Sequence, residues 1–442
     1  MATSGPPPRR HGRTWVERLA ITATIVTAVL CFVAAGTLVA GYMVVRSRDL
    51  VSITNPADAT AASTPTTAAG AAPVPTPAPG ETAPTASLAS TSETFPPADP
   101  EASNFLLTGA DNGACVDPNS PYAPAFGDAE SGRVGERSDT IMIMRVDPAA
   151  KRVAVLSFPR DLYVTISGSG NRGRINSAYR RDDPQQLINT IYENFGVGTD
   201  HFIQVDFCTF KTLVDAVGGV TVPFEYPARD ANTGLDVQTT GCYTLDGDHA
   251  LAYVRSRKYE YEDPPGSGNW ESDPSSDLGR ISRQQDFLRR TLRSVLAKGL
   301  LNPSVASGLI SAATSGDVVT SDDLSLAKLM EFAGVLRDVE PGAIPSYQIE
   351  AEGRTIGGAS VLVPRIEGDN MQAVLAMFRG ESSLADAPVQ SFATTTVPGS
   401  PDAGPTATPA VNAGTEASTP PEGSAPQENN VGIVPPRDVE CP

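Results

Sequence analysis

The chain has 442 residues and a formal net charge of −18. That balance excludes the basic stripe with which nucleic-acid-binding proteins meet phosphate backbones, while leaving room for local cationic sites. Many of its 39 prolines fall in two stretches near the ends of the region beyond residue 45, so a length that alone suggests two or three domains reduces to one large folded region.

In chain order, residues 19–45 come first. They carry no charge and are almost wholly apolar or small. As a helix they extend about 40 Å, enough to cross a bilayer with tilt. Arg9, Arg10, Arg13 and Arg18 precede the run, and only Arg46 and Arg48 follow it closely. This asymmetry predicts a cytoplasmic tail over 1–18 and an extracytoplasmic remainder. The run exceeds the roughly 7–15 apolar residues of a cleaved signal peptide, so a retained single-pass membrane anchor is expected. Residues 46–100 are Ala-, Pro- and Thr-rich, and 381–442 have the same composition. Such segments bury too little apolar surface to offset chain entropy. They are expected to be a linker that holds the domain off the membrane and a disordered tail.

Residues 101–380 form the expected folded domain. A strand is predicted over 104–108, and a hairpin over 140–146 and 152–157 around Asp147-Pro148-Ala149-Ala150-Lys151. A helix over 184–195 stops at Gly196, and a strand follows over 201–207. A helix over 209–217 ends at Gly218-Gly219, and 220–224 reads as a strand. Residues 250–256 read as a strand with Leu251, Tyr253, Arg255 and Arg257 on one face. A long helix is predicted over 278–298, with Ile281, Leu288, Leu292, Val295 and Leu296 as its apolar stripe. Helices over 324–336 and 370–378 flank a strand over 356–363. Strands alternating with helices indicate an α/β fold.

The chemistry sits at the ends of these elements. Arg160 follows a strand, Arg255 and Arg257 are two apart, and Arg280 and Gln284 share a helix face. Guanidinium forks match phosphate oxygens. Spacing alone leaves open that these arginines serve only surface salt bridges. Asp111 and Asp139 lie at strand ends, where carboxylates suit Mg²⁺ shared with phosphate or merely cap turns. Asp277 lies where a helix N-cap is expected. GxSxG, HExxH, GxxxxGK[ST] and GxGxxG in a strand–helix setting are absent, and His11, His201 and His249 are the only histidines. Beyond Cys31 the cysteines number four, which in an oxidising compartment predicts disulfides. The expected pair is Cys208–Cys242, leaving Cys115 with Cys441.

Taken together, the motifs resemble the LytR–CpsA–Psr family. Arg137-Ser138-Asp139-Thr140, Ser157-Phe158-Pro159-Arg160-Asp161 and Arg174-Ile175-Asn176-Ser177-Ala178-Tyr179 occur in that order. Leu213-Val214-Asp215-Ala216-Val217-Gly218-Gly219-Val220 and Leu245-Asp246-Gly247-Asp248-His249-Ala250 leading into Arg255-Ser256-Arg257 come next. Asp277-Leu278-Gly279-Arg280 leading into Gln284 closes the set. The resemblance spans about residues 104–300 and implies an α/β/α domain with an apolar tunnel for a prenyl chain. It implies transfer of a glycopolymer from a polyprenyl-diphosphate carrier to peptidoglycan, with formation of a phosphodiester. It assigns Asp111 and Asp139 to Mg²⁺ and Arg160, Arg255, Arg257 and Arg280 to the diphosphate, with Asp277, Gln284 and Arg174 completing the cluster. Asp161 is the candidate proton acceptor. Val164 stands where some members carry a basic residue, and the insertion over 258–276 is expected to shape the choice of acceptor or polymer. The same residues would also serve a non-catalytic sensor of the lipid diphosphate, or a pyrophosphatase.

Overall fold

The computed structural model describes residues 49–61, 101–110, 115, 117, 119–123, 138–181, 183–299, 302, 305, 318–384, 431–436, 439 and 441. Strand β1 (Asp49–Val51) and helix α1 (Pro56–Ala61) come first, followed by β2 (Ser103–Ala110), β3 (Ser138–Asp147) and β4 (Arg152–Ser157). A small hairpin of β5 (Tyr163–Thr165) and β6 (Arg172–Arg174) leads to α2 (Gln185–Phe195) and β7 (His201–Asp206). Then come α3 (Phe207–Ala216), β8 (Val220–Phe224), β9 (Ala228–Asp230), β10 (Leu235–Val237), β11 (Gly241–Leu245) and α4 (Gly247–Arg255). After β12 (Glu260–Glu262) and β13 (Trp270–Ser272) runs the long α5 (Asp277–Lys298). The final elements are β14 (Val318–Ser321), α6 (Leu326–Arg337), β15 (Ser346–Gln348), the hairpin β16 (Ala351–Ile356) and β17 (Ala359–Pro364), and α7 (Asp369–Arg379).

The main sheet has the order β1-β14-β7-β2-β3-β4-β15. Strand alternation divides its side chains between two cores. Leu106, Ile141, Ile143, Ala154 and Leu156 face one side, where α2 supplies Leu187, Ile188 and Ile191 and α7 supplies Met371, Val374 and Phe378. Phe105, Met142, Val153 and Val155 face the other, against Phe332 and Val335 of α6. Leu288 and Leu292 of α5 pack on that second face. The result is a sheet between two helical layers, the expected α/β/α arrangement. Val164 is buried in the first core, so no cation stands at that position.

A further core joins α3, α4, β8 and the four-stranded sheet β10-β9-β12-β13. Gly218 and Gly219 end α3 with φ of 68° and 85°. A Cβ on Gly219 would lie 2.6 Å from Thr244 Cγ2, so a side chain is excluded there on both counts.

The strand expected over 356–363 is divided by a turn at Gly357-Gly358 between β16 and β17, and four further expectations change. Residues 250–256 are not a strand but the greater part of α4. The Asp246 side chain accepts from His249 N at 3.0 Å and starts the helix, and Ala250, Leu251 and Ala252 favour it. The short alternation of apolar residues was therefore the weaker signal. The stretch read as linker begins inside the domain: β1 pairs with β14 in parallel, and Val51 and Ile53 pack on the first core. Asn55 Nδ2 donates to Asp200 Oδ1 at 2.7 Å. The stretch read as tail returns to the domain at residues 431–436, where Val431 N donates to Ser282 Oγ at 3.0 Å. A composition window averages over such short docked segments.

The fourth change concerns the cysteines. The bridges are Cys115–Cys208 and Cys242–Cys441, with Cα separations of 5.6 and 5.8 Å. Cys208 lies at the start of α3 and Cys242 on β11, and each meets a segment that arrives from far away in the chain. Each bridge fastens an added segment to the fold instead of linking two elements of the motif region.

Among the described residues no helix is long and apolar enough to cross a membrane. The apolar run at 19–45, Asp111 and Arg137 lie outside the described residues.

Candidate active site

The site lies at one end of the main sheet, where β3 begins, β4 ends and α4 and α5 meet. Asp139 is the second residue of β3. Arg160 follows β4 in a turn closed by Leu162 N donating to Pro159 O at 3.0 Å. Arg255 is the last residue of α4, and Arg257 stands two residues beyond it. Asp277 and Arg280 occupy the first turn of α5. The preceding Ser276 takes a φ of 49°, in the left-handed region that L side chains rarely adopt.

These charges interlock. Arg160 Nη1 donates to Asp139 Oδ1, and Arg255 Nη2 donates to Asp139 Oδ2 at 3.3 Å. Arg280 Nη2 reaches the Asp139 carbonyl at 3.0 Å and Asp277 Oδ2 at 3.2 Å. Arg257 Nε lies 2.9 Å from Asp277 Oδ1. Asp161 has Arg174 Nε 3.1 Å from Oδ1 and Arg160 Nε 3.6 Å from Oδ2. The Arg255 guanidinium also lies over the Phe207 ring, 4.3 Å from its centre.

Exposure rises outward through the cluster. The Arg280 side chain is 1% exposed, Arg160 18%, Arg257 39% and Arg174 42%. Five guanidiniums face three carboxylates, so the cluster carries two net positive charges. The carboxylates fix the arginines in place, and the outer guanidiniums keep donors toward solvent. This arrangement suits a multiply charged anion, because the side chains are already ordered before any ligand arrives.

Burial alone would raise the Asp139 carboxyl. Arg280, Arg160 and Arg255 outweigh it and hold the group well below the usual carboxylate range. For Arg160, burial favours proton loss, but Asp139 and Asp277 dominate and raise its pKa. Arg257 shifts down, by burial first, despite Asp277 nearby, with Arg160 and Arg280 adding repulsion.

An ionised carboxylate is the hard oxygen donor that Mg²⁺ prefers. Mg²⁺ is commonly held by one or two carboxylates plus phosphate oxygens. Among the described residues no group of three or more His, Cys, Asp or Glu converges on a metal position. Among the described residues Asp139 alone represents the expected carboxylate pair, and its two oxygens accept from Arg160 and Arg255.

The structure thus brings together Asp139, Arg160, Asp161, Arg174, Arg255, Arg257, Asp277 and Arg280. Gln284 stands behind them: its Nε2 donates to Val254 O at 3.0 Å and braces the end of α4. Cys208 and Cys242 lie in separate bridges. Asp111 has no described position.

Sequence reading did not single out three supporting residues. Asp230 Oδ2 accepts from Ser256 Oγ, Arg257 N and Lys258 N at 2.8, 3.1 and 2.9 Å. Arg283 donates to Ser256 O at 3.0 Å and pairs with Asp273 at 2.7 Å. In the sequence, Asp230 and Asp273 resemble ordinary turn aspartates, and no local signal separates them from that role.

A layered α/β/α domain with an interlocked, net-positive arginine cluster at a sheet end is the arrangement that suits a multiply charged anion. The sequence matches the LytR_cpsA_psr family over residues 80–376, and the chain belongs to that family. It is 31% identical over 245 residues to the probable cell wall biosynthesis protein LcpB of Corynebacterium glutamicum, covering 55% of this chain and 52% of that protein. It is 31% identical over 195 residues to the polyisoprenyl-teichoic acid–peptidoglycan teichoic acid transferase TagU of Bacillus licheniformis, covering 43% and 56%. The matched part spans about half the length of these curated relatives. A solved structure of a LytR-Csp2A-Psr enzyme from Actinomyces oris aligns with a TM-score of 0.46 at 22% identity, over 64% of this chain and 96% of that one.

Proposed function

We propose that the chain is a phosphotransferase that moves a glycopolymer from a polyprenyl-diphosphate carrier to peptidoglycan, forming a phosphodiester. The observation that carries this reading is the interlocked cluster of Arg160, Arg174, Arg255, Arg257 and Arg280 with Asp139, Asp161 and Asp277. The TagU relative is named for this kind of transfer.

In the reaction an acceptor hydroxyl of peptidoglycan attacks the phosphorus that bears the glycan. A new O–P bond forms, the P–O bond to the prenyl phosphate breaks, and prenyl phosphate leaves. Such transfers need positioning and charge neutralisation more than covalent help from protein. The half-exposed Arg257 and Arg174 meet the diphosphate first. Arg160, Arg255 and Arg280, fixed by Asp139 and Asp277, hold it in line and stabilise charge on the departing phosphate. Asp161, between Arg160 and Arg174, takes the hydroxyl proton. Asp139, together with Asp111, would hold Mg²⁺, which when bound adds charge neutralisation at the phosphate oxygens.

The anchor belongs to the same proposal: residues 19–45 span the membrane, 1–18 lie in the cytoplasm and the domain lies outside. The two disulfides support an oxidising compartment.

The test uses full-length protein in detergent with a polyprenyl-diphosphate glycan, peptidoglycan oligomers and Mg²⁺, followed by mass spectrometry. A phosphodiester-linked glycan–peptidoglycan product is expected, reduced at least ~100-fold in Arg255→Ala and Asp139→Ala. Binding without product means a sensor; free glycan phosphate alone means a pyrophosphatase. Either result overturns the transfer reading.

A further inference from the structure

Behind the arginine cluster lies a layer of buried charge that extends beyond the motifs. The side chains of Arg283 and Asp273 are both 0% exposed and pair at 2.7 Å. Arg283 Nη2 holds Ser256 O on one side, while Asp230 holds Ser256 Oγ, Arg257 N and Lys258 N on the other. The segment that carries Arg257 is therefore gripped from both sides. The C-terminal segment completes the pair. Ile433 N donates to Asp273 Oδ2 at 3.3 Å, and Ile433 O accepts from Arg283 Nη1 at 3.2 Å. Farther along α5, Arg290 Nη2 donates to Pro436 O at 2.9 Å, and Cys441 is bonded to Cys242.

The contact is close. Gly432 has a φ of +84°, and a Cβ there would lie 2.1 Å from Ser275 Oγ, 2.8 Å from Asp273 Oδ2 and 2.9 Å from Gly279 Cα. Only glycine allows the segment to lie on the first turn of the helix that carries Asp277 and Arg280. Residues 431–436 lie outside the 80–376 matched to the family, so the family assignment does not account for them.

We propose that residues 431–436 are a positioning strap for the arginine cluster, with Gly432 and Ile433 as its working contacts. Without the strap, Asp273 and Arg283 each lose a hydrogen bond while still buried, a costly state that admits water or movement. The loosened Arg283 no longer fixes Ser256 O, and Arg257 drifts. The effect on ligand affinity rests on the diphosphate-binding reading above; the effect on loop order does not.

The test compares full-length wild type with Gly432→Ala and Ile433→Pro, the second removing the N–H that Asp273 accepts. Val439→Ser, at a 41%-exposed position, is the control. Hydrogen exchange is followed at residues 256–258, and farnesyl diphosphate binding by calorimetry. Exchange at the Arg257 and Lys258 amides is expected to rise about tenfold or more in both variants, with β2, β3 and β4 still protected. Farnesyl diphosphate Kd is expected to rise about tenfold, a loss of ~1.4 kcal/mol, with the control unchanged. Unchanged exchange at 256–258 in both variants overturns the proposal, and so does loss of protection throughout the main sheet. If wild type fails to bind farnesyl diphosphate, the lipid-diphosphate reading falls, and exchange alone then supports or overturns the strap.

Discussion

Each side chain in the cluster answers to several others. Arg280 illustrates this: one nitrogen serves the Asp139 carbonyl and the Asp277 carboxylate together. Lysine offers a point charge where arginine offers a planar fork. Arg280→Lys is therefore expected to lose most activity, with turnover falling at least ~10-fold in the transfer assay. Ser276 calls for the opposite kind of change. Its φ of 49° is strained for serine and open to glycine, so Ser276→Gly is expected to leave Tm unchanged or raise it, by the equivalent of about 1 kcal/mol. At this scale the sequence was informative where charge is unusual. Spacing alone left the arginines open to a surface salt-bridge role, yet Arg160, Arg255, Arg257 and Arg280 do meet in one cluster even though 250–255 form a helix and not a strand. Asp230 and Asp273 stayed hidden because their importance comes from backbone groups delivered by distant segments.

Among the elements, the main sheet was legible because it obeys a period of two. Residues 153–156 alternate between two cores without a break, and both sides must be filled. Leu156, fully buried at the centre, tests this: Leu156→Ala is expected to cost about 2–5 kcal/mol in urea unfolding. Helix α4 was not legible by the same rule. Its run is short, and alternation over seven residues does not distinguish a strand from a buried helix. The decisive signal was the cap at Asp246. The consequence is functional: a helix end, unlike a strand, lets Arg255 meet Asp139 while Arg257, on the extended segment beyond, turns to Asp277.

For the whole molecule, the two bridges and the C-terminal segment hold added pieces to the motif domain. Peptide mapping without reductant is expected to recover Cys115 with Cys208 and Cys242 with Cys441; recovery of Cys208 with Cys242 would contradict the fold. Acid stability provides another check. Asp139 and Asp273 both sit below the ordinary value of 3.8 in the folded protein. For Asp273, burial pushes upward, but Ser275 and Arg283 prevail. A depressed folded pKa contributes stability that is fully present above the unfolded value and is lost as pH falls through the folded one. Asp273→Asn is therefore expected to be less stable than wild type at neutral pH. It should also lose less further stability between about pH 5 and pH 3, as read by thermal melts across that range. Docking of residues 431–436 was not readable from composition, because six ordered residues vanish within a Pro- and Ala-rich window.

The pairing of β1 fixes where the chain enters relative to the arginine cluster. Strand β1 runs parallel to β14, β14 antiparallel to β7, and β7 parallel to β2. The chain therefore enters the sheet at the end where β2 finishes and β3, with Asp139 as its second residue, begins. Only three residues separate Val45 from Asp49, a reach of roughly 14 Å at most. Were residues 19–45 the anchor proposed above, this short reach would moor the domain close to the bilayer with its arginine cluster on the membrane side. A carrier lipid would present its diphosphate to the cluster without leaving the membrane, and the growing wall would have to come down to meet it.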